Sequence, residues 1–219
     1  MQCFLIDELN IKESAYNRLL DKHDHESSNN YNYGAIKIFS DNNTIDGDKL
    51  QEYFFGTEKK YDVFISHFSQ EKDKAIQLKK FLEEECKVNA FVDSYVWGNY
   101  KEILSYIKKE LEADNEEYLL ANLHIMLQSS LRNIIESARY FIFINSKEHC
   151  NNNTIYSPWV YYELQEANRK HSNETNLNME NLCESFDISI KRDVYSFLKK
   201  FTIVDDMLYF KRHINKFFI

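Results

Sequence analysis

The chain has 219 residues, 43% of them hydrophobic and 15% aromatic, which fits one large domain or a domain of about 150 residues carrying an extension. Its 27 basic and 35 acidic residues leave a net charge of −8. That balance argues against partnership with nucleic acid or an anionic membrane surface, because phosphate binding needs clustered Lys and Arg.

The first residues, MQCFLIDELNIKESAY, lack the basic and apolar regions of a signal peptide. No apolar run approaches the roughly 18 residues of a membrane span. Residues 4–20 are expected to form an amphipathic helix, with Leu5, Leu9, Ile11, Tyr16, Leu19 and Leu20 on its apolar face. The polar stretch 21–34 reads as a linker, AIKIFS (35–40) as a short strand, and KLQEYFFG (49–56) as a short helix. Residues 1–59 are therefore expected to be an N-terminal extension, and residues 60–219 a domain of their own.

From Tyr61 the pattern changes. YDVFIS (61–66) is a compact apolar run ending in a small polar residue, as in a central parallel strand. A helix follows, with Ala75, Leu78, Phe81 and Leu82 on one face and Ser69 as its expected N-cap. VNAFVD (88–93) reads as a second strand. Helices are expected over YKEILSYIKKEL (100–111) and LLANLHIMLQSSLRNIIESA (119–138), and the third and clearest strand is RYFIFINS (139–146). FDISI (186–190) and FTIV (201–204) are the expected fourth and fifth strands. This alternation predicts an α/β fold: a flavodoxin-like, open parallel five-stranded sheet with helices on both faces.

Ligands of such sheets bind outside the carboxyl ends of the strands. That edge collects Ser66, His67 and Ser69 after the first strand, and Asp93, Ser94, Tyr95 and Trp97 after the second. Asn145 and Ser146 follow the third. Next comes SPWVYYEL (157–164), which holds the only proline of the chain. Pro158 suits the first position of a helix capped by Ser157, which sets Trp159 and Glu163 one turn apart on one face. A flat aromatic one turn before a carboxylate suits a sugar or a base. With only four glycines there is no phosphate-cradling loop. No metal is expected either, since His23 and His25 have no partner ligands at suitable spacing. The scattered Cys3, Cys86, Cys150 and Cys183 read as reduced thiols in a cytoplasmic setting.

Together, YDVFISHFSQEKD, VNAFVDSYVWG and IFINS…SPWVYYEL resemble the three sequence boxes of a Toll/interleukin-1 receptor (TIR) domain, over roughly residues 60–215. The VWG turn and the helix around HIMLQSSLRNIIESA look most like bacterial TIR proteins of Thoeris anti-phage systems. The resemblance implies an enzyme that cleaves the nicotinamide–ribose bond of NAD+ and makes an ADP-ribose-derived signal, cyclic or conjugated, for a separate effector. NAD+ would be the substrate and no cofactor would be needed. Other TIR protomers would be partners on activation, with a phage protein as a possible trigger.

The family's glutamate corresponds to Glu163 and its tryptophan to Trp159; Val160 stands where relatives often have Cys or another small residue. Asp93 and SYVWGNY match the second box, without the arginine and proline of many eukaryotic relatives. On this resemblance Glu163 is the catalytic residue, and Ser66, His67, Asp93, Trp97, His124, Asn145, Ser146 and Trp159 are substrate-binding candidates. Trp97 belongs to an aromatic loop that would act as a lid, and His124 lies in the inserted helix. Each also has a plainer structural reading: Trp159 as a core aromatic, Asp93 as a turn cap, His124 as a half-buried histidine, and Ser66 and His67 as a strand end. The alternative function is a non-catalytic TIR scaffold that acts by assembly.

Overall fold

The computed structural model describes residues 1–7, 32–41, 44–56, 60–96, 100–111, 115–146, 154–172 and 192–216. The main sheet contains β1 (Gln2–Asp7), β4 (Val63–Ser66), β5 (Ala90–Phe91), β6 (Tyr140–Asn145) and β9 (Thr202–Val204), all parallel, in the order β5-β4-β6-β1-β9. Two short antiparallel pairs lie outside it: β2 (Ser40–Asp41) with β3 (Thr44–Ile45), and β7 (Thr154–Ile155) with β8 (Arg192–Asp193). The helices are α1 (Gly47–Phe55), α2 (Lys72–Glu85), α3 (Asp93–Val96), α4 (Tyr100–Leu111), α5 (Glu116–Ser137), α6 (Pro158–Ser172), α7 (Tyr195–Leu198) and α8 (Met207–Asn215). None of them is long and apolar enough to cross a membrane.

The period-two alternation of the strands sorts the core into two layers. Cys3, Phe64, Phe91, Phe141 and Phe143 point to one face of the sheet and pack with residues of α1, α4, α5, α6 and α7. Phe4, Ile6, Val63, Ile65, Ala90, Ile142 and Ile144 point to the other face, where Ala75, Leu78 and Leu82 of α2 and Met207, Phe210 and Ile214 of α8 cover them. Both faces are buried, so the strands read as nearly continuous apolar runs. The expected flavodoxin-like α/β architecture is observed.

The position between β6 and β9 is the point of departure. In a flavodoxin-like order the fourth strand lies between the third and the fifth; the expected fourth strand, 186–190, lies outside the described residues. The position is filled by β1, with Gln2–Asp7 in register with Tyr140–Asn145 and Phe4–Ile6 in register with Thr202–Val204. The helix expected over 4–20 is therefore corrected: residues 4–7 are strand, and 8–20 lie outside the described residues. Cys3–Ile6 is itself a short continuous apolar run, which a strand covered on both faces requires and a half-exposed helix does not. The boundary expected at residue 59 does not separate structural units either, because β1 is internal to the sheet and α1 buries Leu50, Phe54 and Phe55 in the core shared with α5.

Two smaller expectations are also corrected. Residues Tyr33–Phe39 form a 3-10 helix rather than a strand, begun by Asn32, whose side chain accepts from the Gly34 amide at 3.0 Å. Ser69 does not cap α2: it opens a 3-10 turn, Ser69–Glu71, and its hydroxyl bonds Gln70. His23 and His25 lie outside the described residues.

Candidate functional site

The site is built where β4, β5 and β6 end and α6 begins. Ser157 accepts from the Val160 amide at 3.3 Å, and its carbonyl accepts from the Tyr161 amide. Ser157 is thus the N-cap and Pro158 the first helical residue, as the sequence predicts. The far end of α6 is pinned to α5. Lys170 donates to the carbonyls of Ile135, Glu136 and Ala138 at 3.2, 2.5 and 2.5 Å, closing the C-terminus of α5. Arg169 bridges Glu166 and Glu136, and the Tyr162 hydroxyl donates to the Gln128 carbonyl at 3.0 Å. A helix held at both ends fixes the side chains between them.

Glu163 is one of those side chains and is only 2% exposed. The alternation of β4 turns Ser66 to the face that Phe64 shares with α6, and the Ser66 hydroxyl donates to Glu163 Oε2 at 2.5 Å. Burial first, and then the neighbouring Asp93 carboxylate, hold the Glu163 carboxyl well above the usual range; the Ser66 hydrogen bond pulls the other way. A buried carboxyl with one hydroxyl donor and a second carboxylate beside it is a costly arrangement for structure alone.

His67, next to Ser66, is buried. Its Nε2 lies 2.8 Å from Ser94 Oγ, and its Nδ1 lies 3.7 Å from Asp93 Oδ1, without a hydrogen bond among the described residues. Burial depresses the His67 pKa, against the pull of Asp93, so the ring is held neutral. At the end of β6, Asn145 Oδ1 and Ser146 Oγ are buried and lack a hydrogen-bond partner among the described residues. Buried polar atoms left in this state at a strand end are suited to accept or donate to a ligand.

One turn before Glu163, Trp159 meets the His124 ring edge-on, with centroids 5.4 Å apart, and His124 meets Tyr100 in the same way at 5.3 Å. Trp159 is half-buried, so it is a wall of the site as much as a core residue. Beyond Tyr100, a groove of about 660 Å³ is lined by Lys101, Leu104, Ser105, Lys108 and Lys109, with Lys108 paired to Glu116.

Of the residues singled out in the sequence, Ser66, His67, Asp93 and Glu163 are brought into one connected cluster, and Trp159 and His124 into the aromatic wall beside it. Asn145 and Ser146 lie at the same carboxyl edge. Trp97 lies outside the described residues. Ser94, placed at this edge by the sequence, joins the cluster through His67, and Tyr100, which opens α4, is a further residue that the sequence did not single out. The chain matches no family model, no curated protein and no solved structure.

Proposed function

We propose that the chain is a TIR-type enzyme that cleaves the nicotinamide–ribose bond of NAD+, with Glu163 as the catalytic carboxylate. The observation that carries this reading is the buried Glu163 bonded to Ser66 at the carboxyl edge of the sheet. Ordinary glycosidases use one carboxyl group to protonate a poor leaving group and a second to act on the sugar. Nicotinamide leaves from a pyridinium as a neutral molecule, so no general acid is needed. The carboxylate must hold the ribose hydroxyls and stabilise positive charge as it develops at the anomeric carbon.

The free site disfavours ionised Glu163, and the positive charge of the substrate's pyridinium reverses that. Substrate and carboxylate charge thus stabilise each other. Trp159 and His124 offer an aromatic wall to a ring of the substrate, and the groove beyond Tyr100, with Lys101 and Lys109 beside the Lys108–Glu116 pair, offers positive charge for its phosphates. Asn145 and Ser146 supply buried polar atoms for hydroxyl groups. The product would be ADP-ribose if water attacks, and a cyclic or conjugated signal if another hydroxyl or ring nitrogen does. That signal would act through a separate effector, in a cytoplasmic anti-phage role.

Three results test the reading. The acid limb of kcat/KM, which reports the free enzyme, is expected above the ordinary glutamate range. That of kcat, which reports the substrate complex, is expected at lower pH. Ser66→Ala removes the hydrogen bond that favours the carboxylate and is expected to move the kcat/KM limb further up. Coincident limbs, or a limb unmoved by Ser66→Ala, would contradict the role of Glu163. Trp159→Ala is expected to raise KM about 10-fold with a smaller change in kcat, the usual scale of one lost base–aromatic stacking contact being about 1–3 kcal/mol. An unchanged KM would place the substrate elsewhere.

A further inference from the structure

Two serines of the site, Ser66 and Ser94, are in different states. Ser66 is fully buried, and its proton is directed at Glu163. Ser94 is half-exposed, and its hydroxyl lies 2.8 Å from Nε2 of His67. The Asp93 carboxylate, 3.7 Å from the other ring nitrogen, favours the tautomer with its proton on Nδ1, which leaves Nε2 free to accept from Ser94. Hydroxyl and imidazole are within hydrogen-bond reach, and the carboxylate stands close to the ring without bonding it, an order of groups that can make a serine a nucleophile. The carboxylate of this group, Asp93, lies 3.7 Å from His67 and is also the charge that acts on Glu163, so the Ser94 hydroxyl lies at the same edge of the sheet as Glu163.

We propose that Ser94, with His67 as its base, accepts an ADP-ribosyl group from NAD+, so that the chain modifies itself at Ser94. This rests on the NAD+-cleaving reading. In the step, the bond between the anomeric carbon and the nicotinamide nitrogen breaks, and its electron pair leaves with neutral nicotinamide. Ser94 Oγ bonds to that carbon, and the Ser94 proton passes to His67 Nε2, from which solvent removes it. Ser94 outranks Ser66 as the acceptor because it is accessible and its partner is an imidazole, whereas Ser66 is fully buried against the Glu163 carboxyl.

The test is to incubate the purified full chain with NAD+, measure free nicotinamide, and locate any ADP-ribosyl group by intact and tandem mass spectrometry, before and after neutral hydroxylamine. A serine O-glycoside survives hydroxylamine, whereas an ester on Glu163 or Asp93 does not. Nicotinamide release with one hydroxylamine-resistant group at Ser94, absent from Ser94→Ala and from Glu163→Gln, supports the proposal. Release with no group at Ser94, or with only a hydroxylamine-labile one, overturns it and leaves the NAD+-cleaving reading standing. No nicotinamide and intact NAD+ would remove that reading and this inference together.

Discussion

Glu163→Gln is expected to make the protein more stable at neutral pH while removing its NAD+-cleaving activity. The folded state holds the Glu163 proton more tightly than the unfolded chain does, because burial and Asp93 both penalise the charge. The stability from that proton is complete below the ordinary glutamate range. It is lost as pH rises through the raised folded value. The amide keeps an acceptor for the Ser66 hydroxyl and has no such loss. Its advantage should therefore appear in the neutral range and fade on acidification to about pH 4, near the unfolded glutamate value.

A gain of about 1 kcal/mol would raise the melting temperature by roughly 2–4 °C for a chain of this size. Turnover should fall by at least about 10²–10³-fold, the scale of losing one preorganised electrostatic group. Thermal unfolding and nicotinamide release, each followed across pH, check the two halves separately. A variant that is less stable at neutral pH than at pH 4, relative to the parent, would mean that Glu163 is a structural carboxylate. Such opposition between activity and stability is expected where a charge is buried for function.

Removing Met1–Asp7, or replacing Ile6 with Asp, is expected to abolish cooperative folding. β1 hydrogen-bonds to β6 on one side and β9 on the other, so its loss leaves two unpaired strand edges inside the sheet. It also removes Phe4, whose ring meets Phe210 at 5.1 Å and Tyr140 at 5.9 Å, and Ile6, which is fully buried. Each such side chain contributes about 1.5–3 kcal/mol by burial. With the lost strand pairing, the total is comparable with the roughly 5–15 kcal/mol that holds a whole domain together. Circular dichroism with urea titration distinguishes this from a dispensable N-terminal extension. A truncated chain with an unchanged midpoint would show that β1 only decorates the sheet.

The elements that form the candidate site were more legible in the sequence than the topology was. β4 and β6 were readable because strands covered on both faces become unbroken apolar runs, and both end in small polar residues at the ligand edge. The start of α6 was readable because Ser157 and Pro158 are a local capping signal that needs no tertiary information. That start carries Trp159 and Glu163 into register. β1 was misread because a short apolar run followed by Leu9 and Ile11 satisfies a helical period as well as a strand. Its true partners, Tyr140–Asn145 and Thr202–Val204, are far along the chain, and pairing over such separations leaves no local mark. The Ser94–His67 contact was hidden for a similar reason: the two residues are 27 positions apart and meet only once β4 and β5 pair.

The most direct test of the central claim is to incubate NAD+ with the purified chain at high concentration and neutral pH and to follow nicotinamide by chromatography. The account predicts nicotinamide in excess of the enzyme present, and none above background from Glu163→Gln at the same concentration. Equal release from both proteins, or none from the parent chain at any concentration, would contradict it.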